Sequence, residues 1–259
     1  MQKIFSGGIS IKYVGSKSRV AKYIVPILQE LIDTNKIEDY YEPFVGGGNI
    51  IDKIRCKNRY GSDINPYLIA LFQNLDKLDT LPDGISREEY MRVRDTWRQG
   101  ANAYPMWYIG AVGFLASFRG KFFGGYAGIT NTKTGVCRNY FDESKRNLKK
   151  QAPFLYDVVW TVQDYTALSD VKNALIYCDI PYQGTTGYKF PFDHQAFWEW
   201  ADKMSQNNIL VVSEENAPDG WNILWEQPIK RTLGLETRFV AIEKLFSKNV
   251  ENNLVAPQK

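Results

Sequence analysis

The apolar run Ala174-Leu175-Ile176-Tyr177-Cys178 ends abruptly in Asp179-Ile180-Pro181-Tyr182. Five apolar residues without polar alternation read as a strand buried on both faces, the habit of parallel sheets. A carboxylate, a backbone constrained by proline and an aromatic ring then stand together at its C-terminal end. Open α/β sheets hold their ligands at that end. Ile180 precedes a proline, which biases its own backbone toward extended conformations.

The rest of the chain agrees with such a sheet. Further strands are predicted at 40–44, 59–63, 158–162, 208–213 and 238–246, and helices at 18–32, 66–78, 87–98, 143–152 and 193–206. The last helix starts at Asp193, a good N-cap. Strands alternating with helices predict a mostly parallel α/β sheet. The alternation breaks between about 79 and 155, where Phe114, Phe118, Phe122, Phe123, Tyr126 and Tyr140 stand among basic residues. That stretch reads as an inserted second domain, partly helical, with a Gly-rich hairpin or loop near 119–136. A plain helical insertion or a lid is the alternative. The tail, 252–259, reads as loose.

Several function classes are excluded at once. No run of about 18 apolar residues exists to span a membrane, and the N-terminus lacks a signal-peptide core. Cys56, Cys137 and Cys178 cannot all pair and fit no zinc spacing, so they read as reduced cytosolic thiols. The only histidine, His194, lacks a nucleophile motif and reads as the start of a surface helix. A net charge of +3 does not by itself indicate nucleic acid. Its distribution is more telling. Between 118 and 150, Arg119, Lys121, Lys133, Arg138, Lys145, Arg146, Lys149 and Lys150 face only Asp142 and Glu143. Such a cluster is either a solvated face or a phosphate-contacting surface.

Four further motifs carry chemistry. Phe44-Val-Gly46-Gly-Gly48 follows a strand, and its glycines let the backbone turn tightly and approach a ligand. Asp63, followed by Asn65-Pro66, ends the next strand, where a carboxylate either binds ribose hydroxyls or caps a helix. Tyr13 and Lys17 flank a Gly-Ser turn, which is either an ordinary N-cap or a place for a ring and an ammonium against a ligand. Asp164-Tyr165 ends the strand before the Asp179 strand, where it either makes an ordinary turn or meets an adenine ring.

In this order, Tyr13 to Lys17, Glu42 to Gly48, Ser62 to Asn65, a basic insertion, Asp164-Tyr165 and Asp179-Ile-Pro-Tyr182 resemble Dam-type DNA adenine-N6 methyltransferases, especially the bacteriophage-like branch. Val212 to Pro218, and Thr237-Arg-Phe239 with Glu243-Lys-Leu-Phe246, resemble that family's closing motifs. The resemblance implies a Rossmann-like class I methyltransferase sheet with helices on both faces. It also implies an inserted, mainly helical DNA-recognition domain over 79–155, the catalytic domain being 1–78 and 156–259. S-adenosylmethionine is the implied methyl donor, without a metal. Double-stranded DNA is the implied partner, with the adenine flipped out of the helix, and no obligate protein partner. The implied setting is the cytoplasm of a bacterial or phage-infected cell. By the same resemblance, Asp179 and the Ile180 carbonyl accept from the amino group while Pro181 and Tyr182 complete the motif, Tyr182 stacking on the base. Tyr13, Lys17, Phe44, Gly46, Gly48, Asp63, Asn65, Asp164, Tyr165 and Asp179 bind cofactor. Arg119, Lys121, Arg138, Lys145 and Arg146 are the candidate DNA contacts. Relatives usually carry proline where Ile180 stands. A cytosine-N4 or RNA adenine methyltransferase, and an inactive DNA-binding relative, are the competing functions.

Overall fold

A computed structural model describes residues 11–131, 135–182, 192–233 and 237–250. Lys133 and the tail at 252–259 lie outside them. Packing divides the chain into two compact units. One is Met1–Pro26, Val45–Arg55 and Gly61–Gln163; the other is Ile27–Phe44, Cys56–Tyr60 and Asp164–Lys259.

The strands are β1 (Asp39–Glu42), β2 (Asn58–Asp63), β3 (Ile129–Asn131), β4 (Cys137–Asn139), β5 (Val158–Val162), β6 (Leu175–Asp179), β7 (Ile209–Glu214), β8 (Asn222–Leu233) and β9 (Thr237–Ser247). The helices are α1 (Ala21–Asn35), α2 (Pro66–Phe72), α3 (Arg87–Arg98), α4 (Met106–Leu115), α5 (Tyr140–Gln151) and α6 (His194–Met204). Among the described residues, seven strands form one sheet in the order β5-β2-β1-β6-β7-β9-β8, while β3 and β4 form a separate antiparallel ribbon. The chain builds outward through β1, β2 and β5, then returns to lay β6 and β7 on the other side of β1. This is a doubly wound sheet whose order reverses between β1 and β6.

β6 is predicted within one residue, and the reason is burial. Leu175 to Cys178 are 0% exposed, because parallel β1 and β7 flank the strand. The long β8 is absent from the sequence-based prediction. It is the edge strand and carries Pro228 with alternating polar residues. An edge is where a strand proline is tolerated, and the proline argues against a strand when read alone.

α6 begins at His194 with the Asp193 carboxylate accepting from Ala196 N at 3.0 Å. Phe197, Ala201 and Met204 recur at helical spacing, and all join a buried cluster with Ile176, Cys178, Leu210 and Val212. Burial here lowers the His194 pKa.

In the other unit α2 starts at a proline behind the Asn65 cap, and α3 behind the Ser86 cap. α4 is missed by the sequence pattern because it is apolar on all sides, so no periodicity marks it. It packs closely on α2: a Cβ on Gly110 would lie 2.1 Å from the Tyr67 carbonyl oxygen. The hairpin expected near 119–136 is the β3–β4 ribbon, displaced toward 139. Among the described residues, no helix is long and apolar enough to cross a membrane.

Candidate active site

Within the unit that carries β6, Asp179 ends the strand half-buried, with Ser213 as its partner across β7. The Ile180 side chain is 2% exposed and belongs to the same buried cluster as Phe197 and Met204. The Tyr182 hydroxyl donates to Glu243 Oε1, and the Ser213 hydroxyl donates to the same oxygen at 2.9 Å. Phe44 follows β1, the parallel neighbour of β6. Phe44 and Asp179 therefore leave adjacent strands at the reversal of strand order, where doubly wound sheets form their crevice. The Phe44 ring stacks on Tyr165 at 5.5 Å. Tyr165 itself is 8% exposed and packs edge-on to Phe197 and Trp200. Asp164 is exposed, and its Oδ1 accepts from Thr166 N at 3.0 Å and Thr166 Oγ1 at 2.7 Å.

The second constellation lies in the other unit. Gly46 and Gly48 have φ of +48° and +64°, which side chains rarely adopt, and a Cβ on Gly46 would reach the Tyr13 ring at 3.0 Å. Gly46 N donates to Asp63 Oδ2 at 3.3 Å, and Asn65 N donates to Asp63 Oδ1 at 2.9 Å. Burial pushes the Asp63 carboxyl up to about 6, although the Asn65, Gly46 and Ile64 amides pull the other way. A strand-end carboxylate, a positive-φ glycine turn and a ring against that turn fit a nucleoside cofactor. Asn65 has a different task, since its side chain caps α2 through Tyr67 N and Leu68 N. Lys17 is 7% exposed and opens a 3₁₀ turn behind Ser16.

One residue holding this turn is missing from the sequence reading. Gln151, at the end of α5, is 1% exposed. Its Nε2 donates to Gly47 O at 3.1 Å, Gly48 O at 3.0 Å and Asp52 Oδ2 at 3.1 Å, while its Oε1 accepts from Ile11 N at 3.2 Å. The available signal was its place three residues after Leu148, on the buried face of an otherwise basic helix.

The basic segment is more heterogeneous than its composition. Arg119 is exposed, with φ +56° and its guanidinium over the Phe118 ring; Lys121 is exposed too. The next residue must be glycine, because a Cβ on Gly120 would lie 1.8 Å from Lys12 O. Arg138 grips Glu143 through two nitrogens, and Lys12 pairs with the same carboxylate at 2.8 Å. Arg138 first and Lys12 second hold the Glu143 carboxyl down, at about 2. Arg146 is exposed and pairs with Asp142. Lys145 departs from its expected place on the surface: it is 7% exposed and donates to Leu81 O, Pro82 O and Asp83 Oδ1. Its position four residues after Phe141 puts it on the buried face of α5. The aromatics of the segment also divide. Phe114 and Phe123 are buried, Phe122 stacks on Tyr67, and Phe118 is 61% exposed. Among the described residues, no group of three His, Cys, Asp or Glu side chains converges as a metal site.

Solved structures of the rRNA methyltransferase aviRa from Streptomyces viridochromogenes match at a TM-score of 0.41 with 11% and 12% identity, over 89% of this chain and 84% of theirs. That likeness is too distant to bear on this chain. The Type II methyltransferase M.MjaIII of Methanocaldococcus jannaschii is 26% identical over 255 residues, covering 83% of this chain and 87% of the relative. A family model described as D12 class N6 adenine-specific DNA methyltransferase matches residues 13–215, carrying the glycine turn, Asp63 and the Asp179–Tyr182 segment. The chain belongs to the D12 class N6 adenine-specific DNA methyltransferases.

Proposed function

We propose that this adenine-N6 DNA methyltransferase acts on a short site in double-stranded DNA, takes the adenine out of the stack, and holds its amino group at Asp179. The observation that carries this reading is the place of Asp179-Ile180-Pro181-Tyr182, directly after a fully buried parallel strand at the reversal of the sheet. N6 of a paired adenine is engaged in the base pair, so an enzyme reaching it must extrude the base.

S-adenosylmethionine, the family's methyl donor, supplies an electrophilic methyl group on its sulfonium sulfur. The chain supplies geometry and charge. The Asp179 carboxylate and the Ile180 carbonyl oxygen accept the two amino hydrogens, which turns the nitrogen lone pair toward the methyl group. As the N6–methyl bond would form and the sulfonium would leave as a neutral thioether, the same carboxylate would stabilise the charge growing on N6, which is discharged when N6 loses one proton to solvent. Tyr182 supplies a ring for the base to stack on. Asp63 takes the ribose hydroxyls, the Gly46–Gly48 turn gives backbone access, and Tyr13 and Phe44 offer ring faces to the cofactor. Lys17, Asp164 and Tyr165 complete that set. The packing of Asn65 suits it to holding the turn indirectly, through the start of α2.

Target recognition belongs to 79–155, with Arg119, Lys121, Arg138 and Arg146 as the DNA contacts. Their exposure, or their pairing on surface carboxylates, supports this assignment. The test is methyl transfer from labelled S-adenosylmethionine to duplex DNA, single-stranded DNA and RNA. Duplex DNA labelled at adenine is expected. A preference for RNA, or label on cytosine, would replace the proposal.

A further inference from the structure

Glu243 on β9 is a carboxylate with 1% of its surface exposed. Two hydroxyls share its Oε1: that of Ser213, the strand partner of Asp179, and that of Tyr182. A buried carboxylate is costly unless hydrogen-bonded, so this placement is specific. A phenylalanine would stack on a base as well as a tyrosine does, and it would have no use for a carboxylate at its far end.

We propose that Glu243 is a positioning residue for methyl transfer, setting the plane of the Tyr182 ring through its hydroxyl. This rests on the reading of Tyr182 as the surface on which the flipped base stacks. Rotation about the bond joining the ring to its Cβ is soft. Pinning the phenolic oxygen to a strand paired with β7 restricts that freedom before the base arrives. A base stacked on a fixed plane keeps its amino group in register with Asp179, and Ser213 ties the same carboxylate to the strand beside Asp179. The gain is preorganisation.

The test is a double-mutant cycle on the single-turnover rate of methyl transfer to duplex DNA at saturating cofactor. Tyr182→Phe and Glu243→Ala are each expected to slow the step by about tenfold, the scale of one hydrogen bond to a charged group. The double variant is expected to be no slower than either alone. Glu243→Gln keeps an acceptor oxygen and is expected to recover most of the loss. Cofactor affinity should stay unchanged throughout. Should Glu243→Ala fail to fold, Tyr182→Phe and Glu243→Gln still decide the matter. Tyr182→Phe at the wild-type rate, or losses that multiply in the double variant, would overturn the proposal. Tyr182→Ala separates it from the reading beneath. A slow Tyr182→Ala beside a wild-type Tyr182→Phe keeps stacking and removes only the role of Glu243. A wild-type Tyr182→Ala removes the stacking itself.

Discussion

Ile180 stands beside Asp179 with its side chain in the core, so backbone and side chain carry different loads. The proposed acceptor is its carbonyl, which proline also has. The sequence alone suggests that Ile180→Pro strains little, because the position precedes Pro181 and is already extended. Burial changes that expectation. The variant should lose about 1–2 kcal/mol from its diminished core contact, read by urea unfolding, while single-turnover transfer persists. A stable variant without transfer would give the isoleucine side chain or its N–H a part in the chemistry. Asp63 makes a second prediction at this scale. Its carboxyl titrates at about 6, raised by burial. The ionised form is the one suited to two ribose hydroxyls, so S-adenosylmethionine affinity should be flat above that pH and fall roughly tenfold per unit below it. Stability of the free protein runs the other way. A carboxyl raised from 3.8 in the fold takes up its proton before the unfolded chain does, so the ligand-free fold gains stability as pH falls through that window. Calorimetric titration between pH 5 and 8 reads the first effect, with Asp63→Asn expected to be weak and flat. A steep pH dependence retained in Asp63→Asn would assign the titration to another group.

Helix α5 shows what a helical element hides from its sequence. Phe141 and Leu148 mark its buried face, but its sequence does not show the fate of the polar residues on that face. Lys145 and Gln151 find their partners more than 60 residues away in sequence, Lys145 at Asp83 and Gln151 at Gly47. Composition treats Lys145, Arg146 and Lys150 alike, whereas packing separates them. Arg146→Ala or Lys150→Ala should each flatten the slope of log DNA affinity against log salt by about 0.9, because each phosphate contact releases counterion. Lys145→Ala should leave the slope alone and lower stability instead, since it leaves Leu81 O and Pro82 O without their buried donor. An unchanged slope in all three would make the face merely solvated. Gln151→Met has nearly the same shape without the hydrogen bonds. It should weaken cofactor binding by about tenfold, as the carbonyls of Gly47 and Gly48 lose their donor, with the salt slope untouched. Equal cofactor affinity in this variant would show that the turn holds its shape unaided.

At the scale of the molecule, the sheet was readable because a parallel strand buried on both faces is apolar along its length, and β6 is such a strand. The order of motifs then identified the family, as the match over 13–215 shows. What stayed hidden has physical causes. α4 has no polar side to give a period, and β8 combines an edge position with a proline. Glu243 lies 61 residues from Tyr182, so their pairing is a property of the closed sheet alone. The candidate site was legible in its motif residues and obscure in the residues that support them, because support is long-range. The account turns on Asp179 as the group that holds the target amino nitrogen. The most direct measurement is single-turnover methyl transfer to duplex DNA by Asp179→Ala against wild type, with nucleoside analysis of the product and cofactor affinity taken in parallel. The account predicts N6-methyladenine from the wild type. It predicts a fall of about 10²–10³ or more in the variant, the scale of losing one preorganised acceptor, at cofactor concentrations that saturate both proteins. A folded Asp179→Ala protein that methylates adenine at the wild-type rate would contradict it.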